Sequence, residues 1–370
     1  MDSTPSDHIF NSFPSSTKED WLTAAILELA GADPIQKLSS EKGNLKNLPY
    51  YDRQDAAALR NFQLKPSSGG FLGARGWYNM PLLVVTNESE SNQKVLSELN
   101  SGADGIILTI NNPTTDVFTL LDKIEWPYCA ISFIGNISGS FINRINTYVA
   151  EKAYDETTLV GCVFGYNPIA LQIGSLKLFE NWVNFHPLGV TIDKIETPAE
   201  EIATAFALAV KQIDFFTNKG LSLKQAIAAH AFKINLTEDF FLNIAKLKAV
   251  RILWNNVVRS FDDQNYAPLF IHAFSTVWLK KEYQPNGNML AGTTAAMSAI
   301  LGGCDALTIM PEENNNVMME RVARNISSVL REESHLSKVA DPTAGSYYLE
   351  SLINQLCDQA WQLFQKQMTL

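Results

Sequence analysis

His272 stands near the end of an apolar run, FIHAF, and is followed by Ser275 and Thr276. A neutral imidazole where a strand ends can give its N–H to a substrate carbonyl. The same residue in the same company also serves as a core histidine bonded to a backbone carbonyl, and the run alone leaves both readings open. TIDKIETPAEE offers Asp193, Lys194 and Glu196 as an acid–base cluster, although such charges more often make a solvated loop and the acidic first turn of a helix. His230, in AIAAHAF, reads as structural, and His335, in EESH, as a tie for a helix end. The chain has no GxGxxG after a strand, no GxxxxGK[ST], no HExxH and no GxSxG. GYNP at Gly165 and the Gly302–Gly303 pair are turn signals, weak as phosphate-binding marks.

These residues are carried by a regular alternation. Short β-prone runs recur from Pro81 onward: LLVV (82–85), GIILTI (105–110), CAISFI (129–134), LVGCVF (159–164), LGVTI (188–192), AIAAHAF (226–232), PLFIHAF (268–274) and DALTIM (305–310). A helical stretch follows each, which is the period of a (β/α)8 TIM barrel, with an open doubly wound sheet as the other arrangement of the same alternation. The clearest helix follows the sixth run: Thr237 is its expected cap, and Phe240, Phe241, Ile244, Leu247, Leu253 and Trp254 form its apolar face. Residues 1–75 are mixed in composition and read as an N-terminal arm of extended and helical pieces, 76–335 as the barrel, and 336–370 as a bend and closing helix. In that bend, Asp341 and Pro342 make a turn, Gly345 supplies permissive angles and Ser346 caps a helix through Leu352, Leu356 and Trp361.

With 46% hydrophobic and 18% charged residues in 370, the chain should build a large core and a sizeable buried interface. A net charge of -10 with no cluster of Lys and Arg argues against a nucleic-acid partner. The four cysteines are far apart, in apolar surroundings, and read as reduced core residues of a cytoplasmic protein. The N-terminus lacks a basic start and apolar run, and no stretch reaches the ~18 apolar residues of a membrane span.

Arg321 to Leu352, RVARNISSVLREESHLSKVADPTAGSYYLESL, closely resembles the end of the substrate barrel in adenosylcobalamin-dependent methylmalonyl-CoA mutases and related acyl-CoA mutases. DFFLNIAKLKAVRILW (239–254), GNMLAGTTAAMSAILGGCDAL (287–307), FNSFPSSTKEDWL and NLPYYDRQD support the resemblance collinearly from Phe10 onward. It implies a closed barrel with a closing helix on its flank. Catalytic members of that family migrate a thioester-bearing carbon by radical chemistry, with a cobalamin-binding domain marked by DxHxxG that supplies a histidine ligand. That signature is not found here.

The polar groups of the family's barrel are also changed. A run resembling SGYHIREAGA reads VTIDKIETPA, with Ile192 or Asp193 near the histidine's place. RTHCQTSGW becomes FIHAFSTVW, so His272 is kept while an arginine becomes Phe270, a glutamine Phe274 and a glycine Val277. NIVRTT becomes NMLAGTT, keeping Asn288 and turning an arginine into Ala291, and the TMY-type tyrosine run has no counterpart. The resemblance therefore implies a non-catalytic small subunit, paired as a heterodimer with a homologous large catalytic subunit that holds the adenosylcobalamin, and binding no cofactor or metal itself. The alternative is an active barrel served by a separate cobalamin-binding chain, its altered substrate held by His272, Ser275, Thr276 and Asn288.

Overall fold

The computed structural model of the protein describes residues 16–55, 64, 74–165, 182–191, 197–261, 269–277, 284 and 286–369. Before the barrel come helices α1 (Lys18–Glu28) and α2 (Pro34–Leu38) and a hairpin of β1 (Ser40–Lys42) and β2 (Leu45–Asn47). The barrel strands are β3 (Tyr78–Asn79), β4 (Leu82–Val85), β5 (Gly105–Ile110), β6 (Ala130–Gly135), β7 (Gly161–Phe164), β8 (Phe185–Thr191), β9 (His230–Asn235), β10 (Phe270–Phe274) and β11 (Ala306–Thr308). Between and after them the described helices are α3 (Glu88–Asn100), α4 (Val117–Leu120), α5 (Gly139–Lys152), α6 (Pro198–Thr217), α7 (Leu223–Ala228), α8 (Phe240–Phe261), α9 (Gly287–Gly302), α10 (Val317–Glu332) and α11 (Tyr347–Thr369).

The nine strands form one parallel sheet in the order β3-β11-β10-β9-β8-β7-β6-β5-β4. Its two ends, β3 and β4, are halves of one chain segment interrupted at Met80–Pro81, where proline has no N–H to give the neighbouring strand. The first half pairs with β11 and the second with β5, so the sheet closes on itself as an eight-staved (β/α)8 barrel. The open-sheet alternative is thereby excluded.

The closing seam is short: β11 meets β3 only at Ala306↔Tyr78 and Leu307↔Asn79. Side chains from α10 reinforce it from outside. Arg331 makes two bonds to the Asp104 carboxylate (2.7 and 3.2 Å), Trp77 gives its indole N–H to Ser327, Asn79 donates to the Arg324 carbonyl, and Arg324 pairs with Glu98 at 2.7 Å. Arg324, Ser327 and Arg331 all lie in the RVARNISSVLREE block, so that block seals the barrel.

Two expectations need correction. The sixth strand begins at His230; Ala226 and Ile227 belong to α7, because a capping box between Ser222 and Gln225 starts a helical turn that runs through Ala228. α8 is capped by Asp239, whose carboxylate accepts the Leu242 amide, while the expected cap Thr237 is held by Asn243. The bend near the end is as expected: Gly345 has φ +82°, and Ser346 starts α11, whose Leu352, Leu356, Ala360 and Phe364 are buried on α6 and α8. The hairpin docks on the other side of α11, where Gln355 makes a paired amide contact with the Lys46 backbone. Helix α1 has no buried residue.

Candidate functional site

The barrel lumen is the place to look for chemistry, since inward side chains alternate along each strand and meet at the axis. Two apolar groups fill it: Met80, Ala130 and Ala306 toward one end, and Ile107, Cys162, Phe164, Ala231 and Phe274 toward the other, with Phe270 touching both. His272 is fully buried between them. Its ring lies 4.4 Å from that of Phe274 and 6.0 Å from that of Phe164, centroid to centroid. β8 and β9 lie between β7 and β10 in the barrel wall, so the contact between Phe164 and His272 is made across the lumen, past two intervening staves. Gly189, directly across from Phe164 on β8, makes room for that ring: a Cβ there would lie 2.4 Å from it.

The protonation of His272 follows from its partner. Nε2 lies 2.8 Å from the Thr308 hydroxyl, and that hydroxyl donates its one proton to the Met80 carbonyl at 2.6 Å. Nε2 must therefore be the N–H, and Nδ1 the bare acceptor; Nδ1 has no hydrogen-bond partner. Burial, with the Lys233 ammonium nearby, pushes the imidazole down to about 3, so it is neutral at physiological pH. Its donor is spent on Thr308, and what it turns toward the lumen can only accept. Lys233, the register neighbour of His272 on β9, lies over the Phe274 ring at 4.9 Å.

The other sequence candidates do not join it. The Ser275 hydroxyl accepts the Met310 amide at 2.9 Å, tying the end of β10 to the segment after β11. Thr276 is exposed beyond β10. Asn288 is buried in the first turn of α9, beside a cleft of about 10 Å³ that is also lined by Met310, Glu312 and Met319, far below the size of a ligand pocket. Asp193, Lys194, Glu196 and Ile192 lie outside the described residues, as does GYNP after Gly165. His230 is structural: Nδ1 meets the Ala226 carbonyl, Nε2 meets Gln212, and burial pushes the ring to about 4. Burial also lifts Cys129 and Cys304 to about 12, which leaves both thiols unreactive. Phe164, Lys233 and Thr308 were missed, although a lysine inside the strand run HAFKIN is a readable mark of a polar inward position.

Comparison with known proteins follows the same line. The family model for methylmalonyl-CoA mutase matches residues 194–369. The methylmalonyl-CoA mutase small subunit of Propionibacterium freudenreichii subsp. shermanii is 33% identical across 96% of this chain. The chain belongs to the methylmalonyl-CoA mutase family. A second relative of the family, the small subunit of Porphyromonas gingivalis, is 27% identical across 97% of the chain. The chain spans 62% and 64% of the lengths of these two mutase subunits. Plasmodium falciparum HPPK-DHPS is a remote likeness among solved structures, 14% identical with a TM-score of 0.41 over 72% of this chain and 48% of that one, and has no bearing on chemistry. Among the described residues, no helix is long and apolar enough to cross a membrane.

Proposed function

We propose that this chain is the non-catalytic small subunit of a heterodimeric, cytoplasmic, adenosylcobalamin-dependent methylmalonyl-CoA mutase, in which a homologous large subunit interconverts methylmalonyl-CoA and succinyl-CoA. The observation that carries the reading is the filled lumen, where Phe164, Phe274 and the acceptor-only His272 occupy the axis. Among the described residues, a substrate carboxylate placed there would find Lys233 as its one charged neighbour and otherwise aromatic and aliphatic carbon, so the amide donors and the space that a carboxylate and a thioester need together are lacking. His272 has no N–H left to polarise a thioester carbonyl. The relatives' names add the second half of the reading, since a small subunit is defined by a larger one.

Adenosylcobalamin does not fit the described residues. His186 and His230 are bonded to backbone carbonyls, His272 is sealed among phenylalanines, His335 is exposed in the turn after α10, and no group of three or more His, Cys, Asp or Glu among the described residues could hold a metal. The isolated chain should therefore retain no adenosylcobalamin in equilibrium dialysis, and retention at micromolar or tighter affinity would overturn this part of the reading.

The test of the whole is purification from the native host. A one-to-one complex with a larger homologue is expected, with mutase activity in the complex and none in this chain alone. Turnover of methylmalonyl-CoA by the isolated chain supplied with adenosylcobalamin would refute it.

A further inference from the structure

We propose that His272 is an internal clasp that holds the barrel shut. The seam between β11 and β3 has few backbone rungs: the Tyr78 amide donates to Asp305 O at 2.8 Å and the Met80 amide to Leu307 O at 2.9 Å. The next rung, from the Ile309 amide to the Met80 carbonyl, does not form. The Thr308 hydroxyl donates to that carbonyl instead, at 2.6 Å, and His272 Nε2–H donates to the same hydroxyl at 2.8 Å. The chain His272 to Thr308 to Met80 thus links three consecutive staves, β10, β11 and the segment β3–β4, at the point where the ladder runs out.

The chemistry explains why histidine stands there. The Thr308 hydroxyl could rotate toward other acceptors; a donor aimed at its lone pair leaves its proton only the Met80 direction. Holding that donor leaves Nδ1 unpaired in an apolar lumen, a burden that leucine or phenylalanine would not carry. The clasp offsets it. On this reading the inner face of the seam complements the outer one, where Arg331, Trp77 and Asn79 act, and it holds whether or not the chain pairs with a larger subunit.

Residue-resolved hydrogen exchange on the purified chain tests the clasp. Thr308→Val keeps the shape and removes the hydroxyl, and should raise exchange at the Tyr78 and Met80 amides by about tenfold relative to Phe133 and Val163 across the barrel. Thr308→Ser keeps the hydroxyl and should restore protection. His272→Leu should raise exchange at the same two amides. If His272→Leu leaves them unchanged, or if all four amides speed up equally, His272 is not a clasp.

Discussion

Replacing Asp341 by alanine is expected to destabilise the protein by about 3–5 kcal/mol, because it strands a buried lysine. Lys248 Nζ lies 2.7 Å from the Asp341 carboxylate, with side chains only 3% and 5% exposed. The same carboxylate accepts the Leu64 amide at 3.0 Å and the Thr343 hydroxyl at 3.0 Å, and Arg75 grips the adjacent Ala340 carbonyl with two N–H groups. The bend before the last helix is thus a clamp joining α8, the segment ahead of β3 and the closing helix. A Lys248→Met, Asp341→Leu pair removes both charges and should recover most of the loss, since apolar replacement of a buried ion pair is often neutral or stabilising. Urea unfolding of the single and double variants decides the matter; a double variant as unstable as the single one would disprove the account.

The same clamp gives a pH dependence. Burial works to raise the Asp341 carboxyl, and the bonds from Lys248 and the Leu64 amide outweigh it, holding it below the usual carboxylate range. A carboxyl depressed in the folded state contributes stability above the unfolded value of about 3.9 and loses it as pH falls through the folded value. The urea midpoint should therefore drop more steeply below about pH 4 in the natural protein than in the double variant.

On the proposed function, deleting Met1–Asp55 is expected to leave a folded barrel and abolish pairing with the proposed large subunit, lowering mutase activity as a consequence. Helix α1 buries none of its residues, and Ile26, Leu27 and Leu38 are 41%, 77% and 49% exposed. The arm still holds a shape, through Trp21 stacked on Tyr50 at 5.2 Å and Lys18 paired with Asp55 at 2.9 Å, so it presents these side chains in place. Covering such groups is worth roughly 1 kcal/mol or more each, enough together for about a hundredfold in affinity. Because the hairpin also docks on α11, a subtler variant separates folding from association. Ile26→Asp with Leu27→Asp changes no buried contact, and should weaken the proposed heterodimer about a hundredfold in titration calorimetry while leaving the thermal midpoint of the isolated chain unchanged. Unaltered affinity would show that the arm is not the contact.

Much of this architecture was written locally. The Asp-Pro turn, Gly345 and Ser346 specify their bend by backbone preference alone, and the strand runs GIILTI and LLVV begin and end where expected, since a buried parallel strand needs a short apolar run and little else. The sixth strand was misplaced because AIAAHAF is equally apolar as a helix end, and the capping box that decides it lies upstream. Resemblance to the mutases supplied the family, which spacing and periodicity could not.

The sequence by itself determined a parallel α/β chain and its closing helix. Only the tertiary structure decided that the barrel closes through a strand split at Met80–Pro81, that Phe164 crosses the lumen to His272, and that the His272 N–H is consumed by Thr308. The reason is physical. Turns, caps and periodicity act within a few residues, whereas a histidine's role depends on which atoms meet its two nitrogens, and those come from strands some thirty to two hundred residues apart, brought together only when the barrel shuts.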